Sequence, residues 1–310
     1  MKQSAKPKNT ISGQSLLQRI MPYLLIAPTL ILVILFTLYP AVNTVIASLY
    51  EPGRRATDPA EFVGFQNYAD LFDSTHFLGS RFGLILNNTF IFSFATVVIG
   101  MALALMMALL LNRALRGLGL WRFCIVYPAL LPTIGAASFW AFLYADTVGL
   151  INTVLGMFGI PTVNWLGNPD VVLWSVIIVN IWKQVGYFMI FYLAGLQNIP
   201  RDIYEAAALD GANYWQQLVH LTIPLLRRTT LFISTIAFIF SFQTVEQLQV
   251  LNQGNPADRA NLLLYFIFQI IPERRNQGYV NAMTVILVAI LLIFTIANFV
   301  LSERGEGDND

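Results

Sequence analysis

Cysteine and histidine are scarce in this sequence of 310 residues. Its one cysteine, Cys124, lies in an apolar run, so a disulfide framework and a cysteine-based metal site are excluded. No glycine is followed by lysine, as a P-loop requires, and no G-x-S-x-G motif is present. The sequence therefore lacks the usual elements of a nucleotide-hydrolysing or acyl-transferring enzyme.

Charge is equally sparse, with 11% charged residues against about a quarter in soluble domains. The formal net charge of +1 argues against nucleic acid as a partner. Hydrophobic residues make up 56% of the chain, and the mean hydropathy is +0.63. About 20 helical residues cross the hydrocarbon core of a bilayer, and six apolar runs reach that length. The sequence therefore predicts an all-α, polytopic membrane protein with six transmembrane helices, near residues 21–48, 86–111, 121–144, 171–196, 229–250 and 279–301.

Lysine and arginine are unevenly distributed between the two predicted sides of the membrane. Eleven fall on the side that carries both chain ends, six fall on the other side, and Lys183 lies inside the fourth run. Since the richer side faces the cytoplasm, both termini are predicted to be cytoplasmic. The two histidines, His76 and His220, then lie on opposite sides, which excludes a histidine-paired metal site. The predicted organisation is a leader at 1–20, a membrane domain at 21–301 and a tail at 302–310.

The connection between the fourth and fifth runs, residues 197–228, has the pattern of two short helices. Pro200 and Asp202 suit a first turn, and Gly211 can take the left-handed conformation that ends a helix. Asn213 with Gln216 three residues later predicts a capping box at the start of a second helix. Pro224 is expected to break that helix before the fifth span.

This connection resembles the EAA loop of permease subunits in ATP-binding-cassette importers. The resemblance rests on Glu205-Ala206-Ala207, then Gly211, then Ile223-Pro224, and the stretch from Ile199 to Ala212 is similar to the carbohydrate-uptake branch in particular. Further matches lie at 62–68, 86–90, 182–184 and 278–283. Residues 251–256 depart from the Leu-Thr-x-Gly-Gly-Pro turn of that branch but keep residues that favour a turn. The resemblance implies that the ATPase-coupling residues are Glu205, Ala206, Ala207, Asp210, Gly211 and Ala212.

The same resemblance implies a set of partners and a location. A second, related permease subunit would complete the pathway, two cytoplasmic ATPase subunits would bind ATP and Mg, and an extracytoplasmic solute-binding protein would deliver the substrate. No cofactor is expected in this chain itself. The implied location is the inner membrane of a bacterial cell, and the implied substrate is a sugar or a sugar-like solute.

Ionisable and amide side chains inside the spans are the candidate substrate-binding residues. Asn180, Lys183 and Tyr187 project from one face of a helix by their spacing. Gln243 and Glu246 are expected to share a face near the outer half of the fifth span. Pro40, Pro128 and Pro132 predict bent helices around a cavity. These patterns predict that the fourth and fifth spans form the cavity walls.

Three other functions compete with this interpretation. A secondary transporter of a small polar solute would have charged relays in several spans, yet the candidates are only Lys183 and Glu246. A membrane-bound enzyme lacks its motifs, as described above. A sensor or scaffold subunit that has lost transport would keep the same sequence pattern.

Overall fold

The computed structural model describes residues 16–304 except 54, 56, 114 and 115. Most of the predicted leader and tail, 1–15 and 305–310, therefore lies outside the described residues. Within the described part, four helices are long and apolar enough to span a membrane: Ile20–Ala47, Phe77–Leu111, Val172–Gln197 and Arg274–Leu301. Two bent helix pairs, Leu118–Leu130 with Thr133–Leu143 and Tyr214–Leu225 with Arg227–Phe242, bring the number to six if each pair is one span. The prediction of an α-helical, polytopic membrane protein is confirmed.

The helices follow one another with short connections and one small sheet. The two-stranded antiparallel sheet pairs Tyr50 with Phe62 and Glu51 with Glu61. In chain order the elements are α1 Leu16–Val33, a π-helical segment Ile34–Leu38, α2 Tyr39–Ala47, β1 Tyr50–Glu51, β2 Glu61–Phe62, α3 Gln66–Phe72, α4 Phe77–Leu111, α5 Leu118–Leu130, α6 Thr133–Leu143, α7 Leu150–Met157, α8 Val172–Gln197, α9 Arg201–Leu209, α10 Tyr214–Gln217, a second π-helical segment Leu218–Thr222, α11 Ile223–Leu225, α12 Arg227–Phe242, α13 Glu246–Leu251, α14 Leu263–Ile270, a 3-10 turn Arg274–Asn276 and α15 Gln277–Arg304.

The long helix α4 forms the centre of the bundle and packs most extensively on α8. Gly100, Ala104 and Ala108 are buried and recur every four residues, so they form a stripe of small side chains along α4. Small residues in such a stripe allow the backbones of membrane helices to approach closely. On the other side of α8, a Cβ at Gly186 would overlap the carbonyl oxygen of Ile125 in α5. The crossing of α5 and α8 therefore depends on the absence of a side chain at Gly186.

Loops collect at the two ends of this bundle. One end carries the sheet, α3 and the segment before α14, since Arg81 near the start of α4 pairs with Asp258. The opposite end carries 198–226, whose residues surround a recess with Leu109 and Asn112 from the end of α4. The segment predicted to couple to an ATPase therefore lies at the end opposite the sheet.

Pro40 and Pro224 each lie just after a π-helical segment, within continuous helical turns. Tyr39, just before Pro40, donates its backbone N–H to the carbonyl of Ile34, and Ile223, just before Pro224, donates to the carbonyl of Leu218. Each π-helical segment thus ends just before a proline. The wider hydrogen-bonding pattern of the segment accommodates the backbone N–H that the proline lacks. The predicted break before the fifth span is present, but it lies at Leu226 and not at Pro224, because the helical turns continue to Leu225.

Three predicted spans differ in outline from the structure, and the second, expected at 86–111, is helical over Phe77–Leu111. The third is bent by 100° between α5 and α6, next to Pro132, as the prolines predict. The fifth was expected to run through 229–250, but α12 ends at Phe242 and α13 begins at Glu246. Polar and β-branched residues fill the break, and Thr244 Oγ1 donates to the carbonyl of Ser241 at 3.2 Å, which satisfies an end group of α12.

Candidate substrate cavity and coupling loop

A cavity of about 580 Å³ opens between α8, the α5–α6 bend and the break after α12. Cavities of roughly 300–1,000 Å³ are typical of small-molecule sites. All five residues predicted as cavity walls lie around this single cavity. Its lining consists of Ala129, Thr133, Asn180, Lys183, Gln184, Tyr187, Phe240, Gln243, Thr244, Val245, Glu246 and Gln247.

The α8 wall presents a linked set of amides. Asn180 is only 5% exposed, and its Oδ1 accepts a hydrogen bond from Gln184 Nε2 at 3.2 Å. Its Nδ2 lies 3.5 Å from both Thr244 Oγ1 and Gln247 Oε1. Asn180, Lys183 and Tyr187 all line the cavity, and Asn180 connects the α8 wall to the opposite wall.

The opposite wall is formed by the break itself and not by one helical face. Gln243 follows the last residue of α12, whereas Glu246 is the first residue of α13. The prediction that they share a helix face is therefore wrong. Both side chains are nevertheless exposed and line the cavity, because the non-helical residues between them turn the chain around its rim.

Two lining residues carry full charges. Lys183 and Glu246 stand on different walls and interact electrostatically. They form no direct ion pair, since the ion pair found among the described residues is Arg81–Asp258. The ammonium group of Lys183 and the carboxylate of Glu246 thus both face the cavity, and both remain available for hydrogen bonds. The tryptophan next to this pair, Trp182, instead packs on Phe139 and Trp140.

Gln247 is a structural residue of the site that the sequence interpretation did not select. It is 2% exposed, and its Nε2 donates to the carbonyl of Val176 at 2.8 Å. This bond attaches the start of α13 to the first turns of α8. A glutamine among apolar neighbours was the only signal in the sequence, and Gln249, which is exposed, carries the same signal.

At the opposite end of the bundle, Gly211 ends α9 as expected from its position. Its φ is +84°, in the left-handed region that suits glycine. Ala212 N–H donates to the carbonyl of Ala207 at 2.9 Å, and Gly211 N–H donates to that of Ala208 at 3.1 Å. These two bonds form a Schellman motif, which closes the carbonyl end of the helix. Pro200 is the residue before the helix, not part of its first turn.

The second coupling helix begins at the capping box predicted for Asn213 and Gln216. Gln216 N–H donates to Asn213 Oδ1 at 3.0 Å, and Asn213 N–H donates to Gln216 Oε1 at 2.8 Å. The hydroxyls of Tyr204 and Thr222 lie 3.0 Å apart and join the two helices. Gln217 Nε2 donates to the carbonyl of Ala212 at 3.0 Å. These hydrogen bonds therefore hold the two helices of the coupling loop together as one unit.

This unit presents an unusual surface. Leu209 is 90% exposed and Trp215 is 70% exposed, so two large apolar side chains of this segment face away from the bundle. Glu205, Ala206, Asp210 and Gly211 are exposed beside them, whereas Ala207 and Ala212 are partly buried. Four of the six predicted coupling residues are thus exposed to solvent, and the other two, Ala207 and Ala212, border a recess with Asp210 and His220.

Metal binding finds no support in the described part of the chain. Within it, no group of three or more His, Cys, Asp or Glu side chains is arranged to hold an ion.

The chain was compared with known protein families and with solved structures. Residues 98–304 match the family described as the binding-protein-dependent transport system inner membrane component. The fold resembles the crystal structure of a bacterial ABC transporter involved in the import of the acidic polysaccharide alginate. That match has a TM-score of 0.79 at 21% identity and covers 93% of this chain and 97% of the other.

Relatives of similar length are transport-system permease proteins. The trehalose/maltose permease protein MalF of Thermococcus litoralis is 32% identical, over 88% of this chain and 90% of the relative. The arabinooligosaccharides permease protein AraP of Bacillus subtilis is 30% identical, over 92% and 90%. The sn-glycerol-3-phosphate permease protein UgpA of Pectobacterium atrosepticum is 29% identical, over 92% and 94%. By its fold and these matches, the chain belongs to the family of inner-membrane components of binding-protein-dependent transport systems.

Proposed function

We propose that this protein is the permease subunit of an ATP-binding-cassette importer and forms half of the translocation pathway for a sugar or sugar-like solute. ATP is hydrolysed by a separate cytoplasmic subunit that docks on the coupling loop. The observation that carries the proposal is the position of α12. It starts at Arg227, next to the coupling loop, and ends beside Gln243, in the cavity wall.

A movement of the coupling loop would reach the cavity through this one helix. The loop is held together by the Tyr204–Thr222 contact and continues through α11 into α12. Rigid elements of this kind transmit closure at one site into opening at another. Glu205 and the exposed Leu209 provide the charged and apolar contacts for the ATPase. In this arrangement the coupling loop and both termini are cytoplasmic.

The remaining partners follow from the same proposal. A second, related permease subunit completes the pathway, and two ATPase subunits bind ATP and Mg beneath the pair. An extracytoplasmic binding protein delivers the solute to the end that carries the sheet and Asp258. The relatives named above carry trehalose or maltose, arabinooligosaccharides and sn-glycerol 3-phosphate in their names, so these solutes are the first to test. The cavity residues Asn180, Lys183, Tyr187, Gln243 and Glu246 contact the solute.

Uptake into proteoliposomes tests the proposal. The subunit is reconstituted with its neighbouring permease, ATPase and binding protein, and labelled solute is measured with and without internal ATP. We expect uptake only with ATP, and we expect Gln243→Ala and Glu246→Ala to reduce the apparent affinity for solute. Gln249→Ala, an exposed glutamine outside the lining, serves as the matched control. ATP-independent uptake by this chain alone would support the secondary-transporter alternative instead.

A further inference from the structure

The charges in the cavity wall distinguish between the solutes of the relatives. We propose that the cavity selects uncharged, polyhydroxylated solutes over anionic ones, and that Glu246 is the residue that rejects anions. This inference rests on the proposed function and names the substrate class of the same cavity. It separates the sugar-named relatives from the one named for sn-glycerol 3-phosphate.

The described lining has no excess of positive charge. Lys183 is its one cation, and Glu246 is close enough to interact with it electrostatically. Sites that recognise phosphate or carboxylate use arginine, several lysines or clusters of backbone N–H groups to outweigh the anion. Here the single lysine is already balanced by a protein carboxylate. An anionic solute that approached Lys183 would lie beside Glu246 in a partly desolvated space, where like charges repel more strongly than in water.

The remaining polar groups suit neutral hydroxyls. Gln184 and Gln243 each have both a donor and an acceptor on the side-chain amide, and Thr133 has a hydroxyl, whereas Asn180, Thr244 and Gln247 are buried and hydrogen-bonded within the wall. A sugar hydroxyl also donates and accepts, so it can pair with either end of an amide. A phosphate oxygen at neutral pH mainly accepts hydrogen bonds. The carbonyl oxygens of the amides also only accept, so their lone pairs would face the phosphate without forming a hydrogen bond.

An aromatic wall completes the site for a sugar ring. Tyr187 and Phe240 line the cavity, and their ring centroids lie 6.0 Å apart. Aromatic faces pack against the C–H groups of a sugar ring, which buries apolar area without requiring charge. Glu246 is exposed to the cavity and makes no direct ion pair, so its carboxylate can accept from two hydroxyls.

A matched pair of ligands tests the inference. Binding of trehalose and of trehalose 6-phosphate is measured to the intact permease and ATPase assembly, without the binding protein, so that only the membrane cavity selects. We expect wild type to bind trehalose at least tenfold more tightly than its phosphate. Glu246→Gln, which keeps size and hydrogen bonding, should reduce this preference at least tenfold. Glu273→Gln, an exposed glutamate outside the cavity lining, should leave it unchanged.

Two results would overturn the inference. One is tighter binding of trehalose 6-phosphate than of trehalose to wild type, and the other is an unchanged preference in Glu246→Gln. ATP-driven uptake of sn-glycerol 3-phosphate in preference to neutral sugars would also contradict it but would leave the proposed importer function intact. Absence of ATP-driven uptake for every solute would instead count against the proposed function.

Discussion

Arg81 and Asp258, 177 residues apart in sequence, form a two-pronged ion pair at the end of the bundle that carries the sheet. Arg81 Nε lies 2.7 Å from Asp258 Oδ2, and Nη2 lies 3.1 Å from Oδ1. The guanidinium also lies 4.7 Å from the centroid of the Phe266 ring. Asn88 Nδ2 donates to the Asp258 carbonyl at 2.8 Å. The loop before α14 is therefore fixed to α4.

The first prediction concerns this ion pair and pH. Burial raises the pKa of Asp258, but hydrogen bonds from Arg81 and Asn261 outweigh burial and hold that pKa below its ordinary value of 3.8. A lowered folded-state pKa contributes stability above the unfolded pKa, and this stability is lost as pH falls through the lower folded value. We therefore expect the contribution to be complete above about pH 5 and to decline below about pH 4.

A double-mutant cycle measures the pair directly. Arg81→Met and Asp258→Asn should each lower the free energy of unfolding by about 1–3 kcal/mol at neutral pH, and the double variant should lose less than their sum. Thermal unfolding in mild detergent, or protease accessibility of the loop, gives the readout. Strictly additive losses would show that the two side chains do not stabilise the loop through each other.

The second prediction concerns Gln247 as a positioning residue. Gln247→Leu keeps the approximate volume but removes the 2.8 Å bond to the Val176 carbonyl. We expect the rim with Gln243 and Glu246 to shift, so that the KM for solute rises several-fold while ATP-driven turnover at saturation changes less. Steady-state uptake separates the two constants. Gln249→Leu is the control, and an equal effect in both variants would show that the bond does not position the rim.

The third prediction concerns the crossing of α5 and α8 at Gly186. Gly186→Ala adds a Cβ that would overlap the backbone of Ile125, and overpacking of this kind costs about 1–3 kcal/mol. Gly100→Ala is the matched control, because a Cβ there meets no atom within 4 Å and alanine favours a helix by about 0.5–1 kcal/mol. The yield of folded protein and its melting temperature distinguish the two. Equal stability of both variants would contradict the close approach.

Local signals in the sequence were sufficient for the coupling loop. The capping box of Asn213 and Gln216 and the left-handed Gly211 each depend on neighbours within a few residues. The α8 face of the cavity was also predictable, because Asn180, Lys183 and Tyr187 lie on one regular helix whose period fixes their direction.

Features that depend on distant residues were not predictable. The break after Phe242 lies among polar residues at the end of the fifth apolar run, where hydropathy does not distinguish the fraying end of one span from a break between two helices. The helix through Pro224 persists because a π-helical turn absorbs the missing N–H, and the sequence gives no sign of that turn. The Arg81–Asp258 pair joins segments that only the folded bundle brings together.

Co-purification tests the central claim, that the coupling loop docks a separate ATPase subunit. Wild type, Glu205→Arg and Gly211→Pro are purified in mild detergent from cells that express the neighbouring genes, beside Glu61→Arg as a charge-reversal control at the opposite end. We predict that an ATPase subunit and a second permease accompany wild type and Glu61→Arg, and that both coupling-loop variants lose the ATPase and keep the permease. An ATPase retained equally by all four proteins, or absent from wild type, would contradict the account.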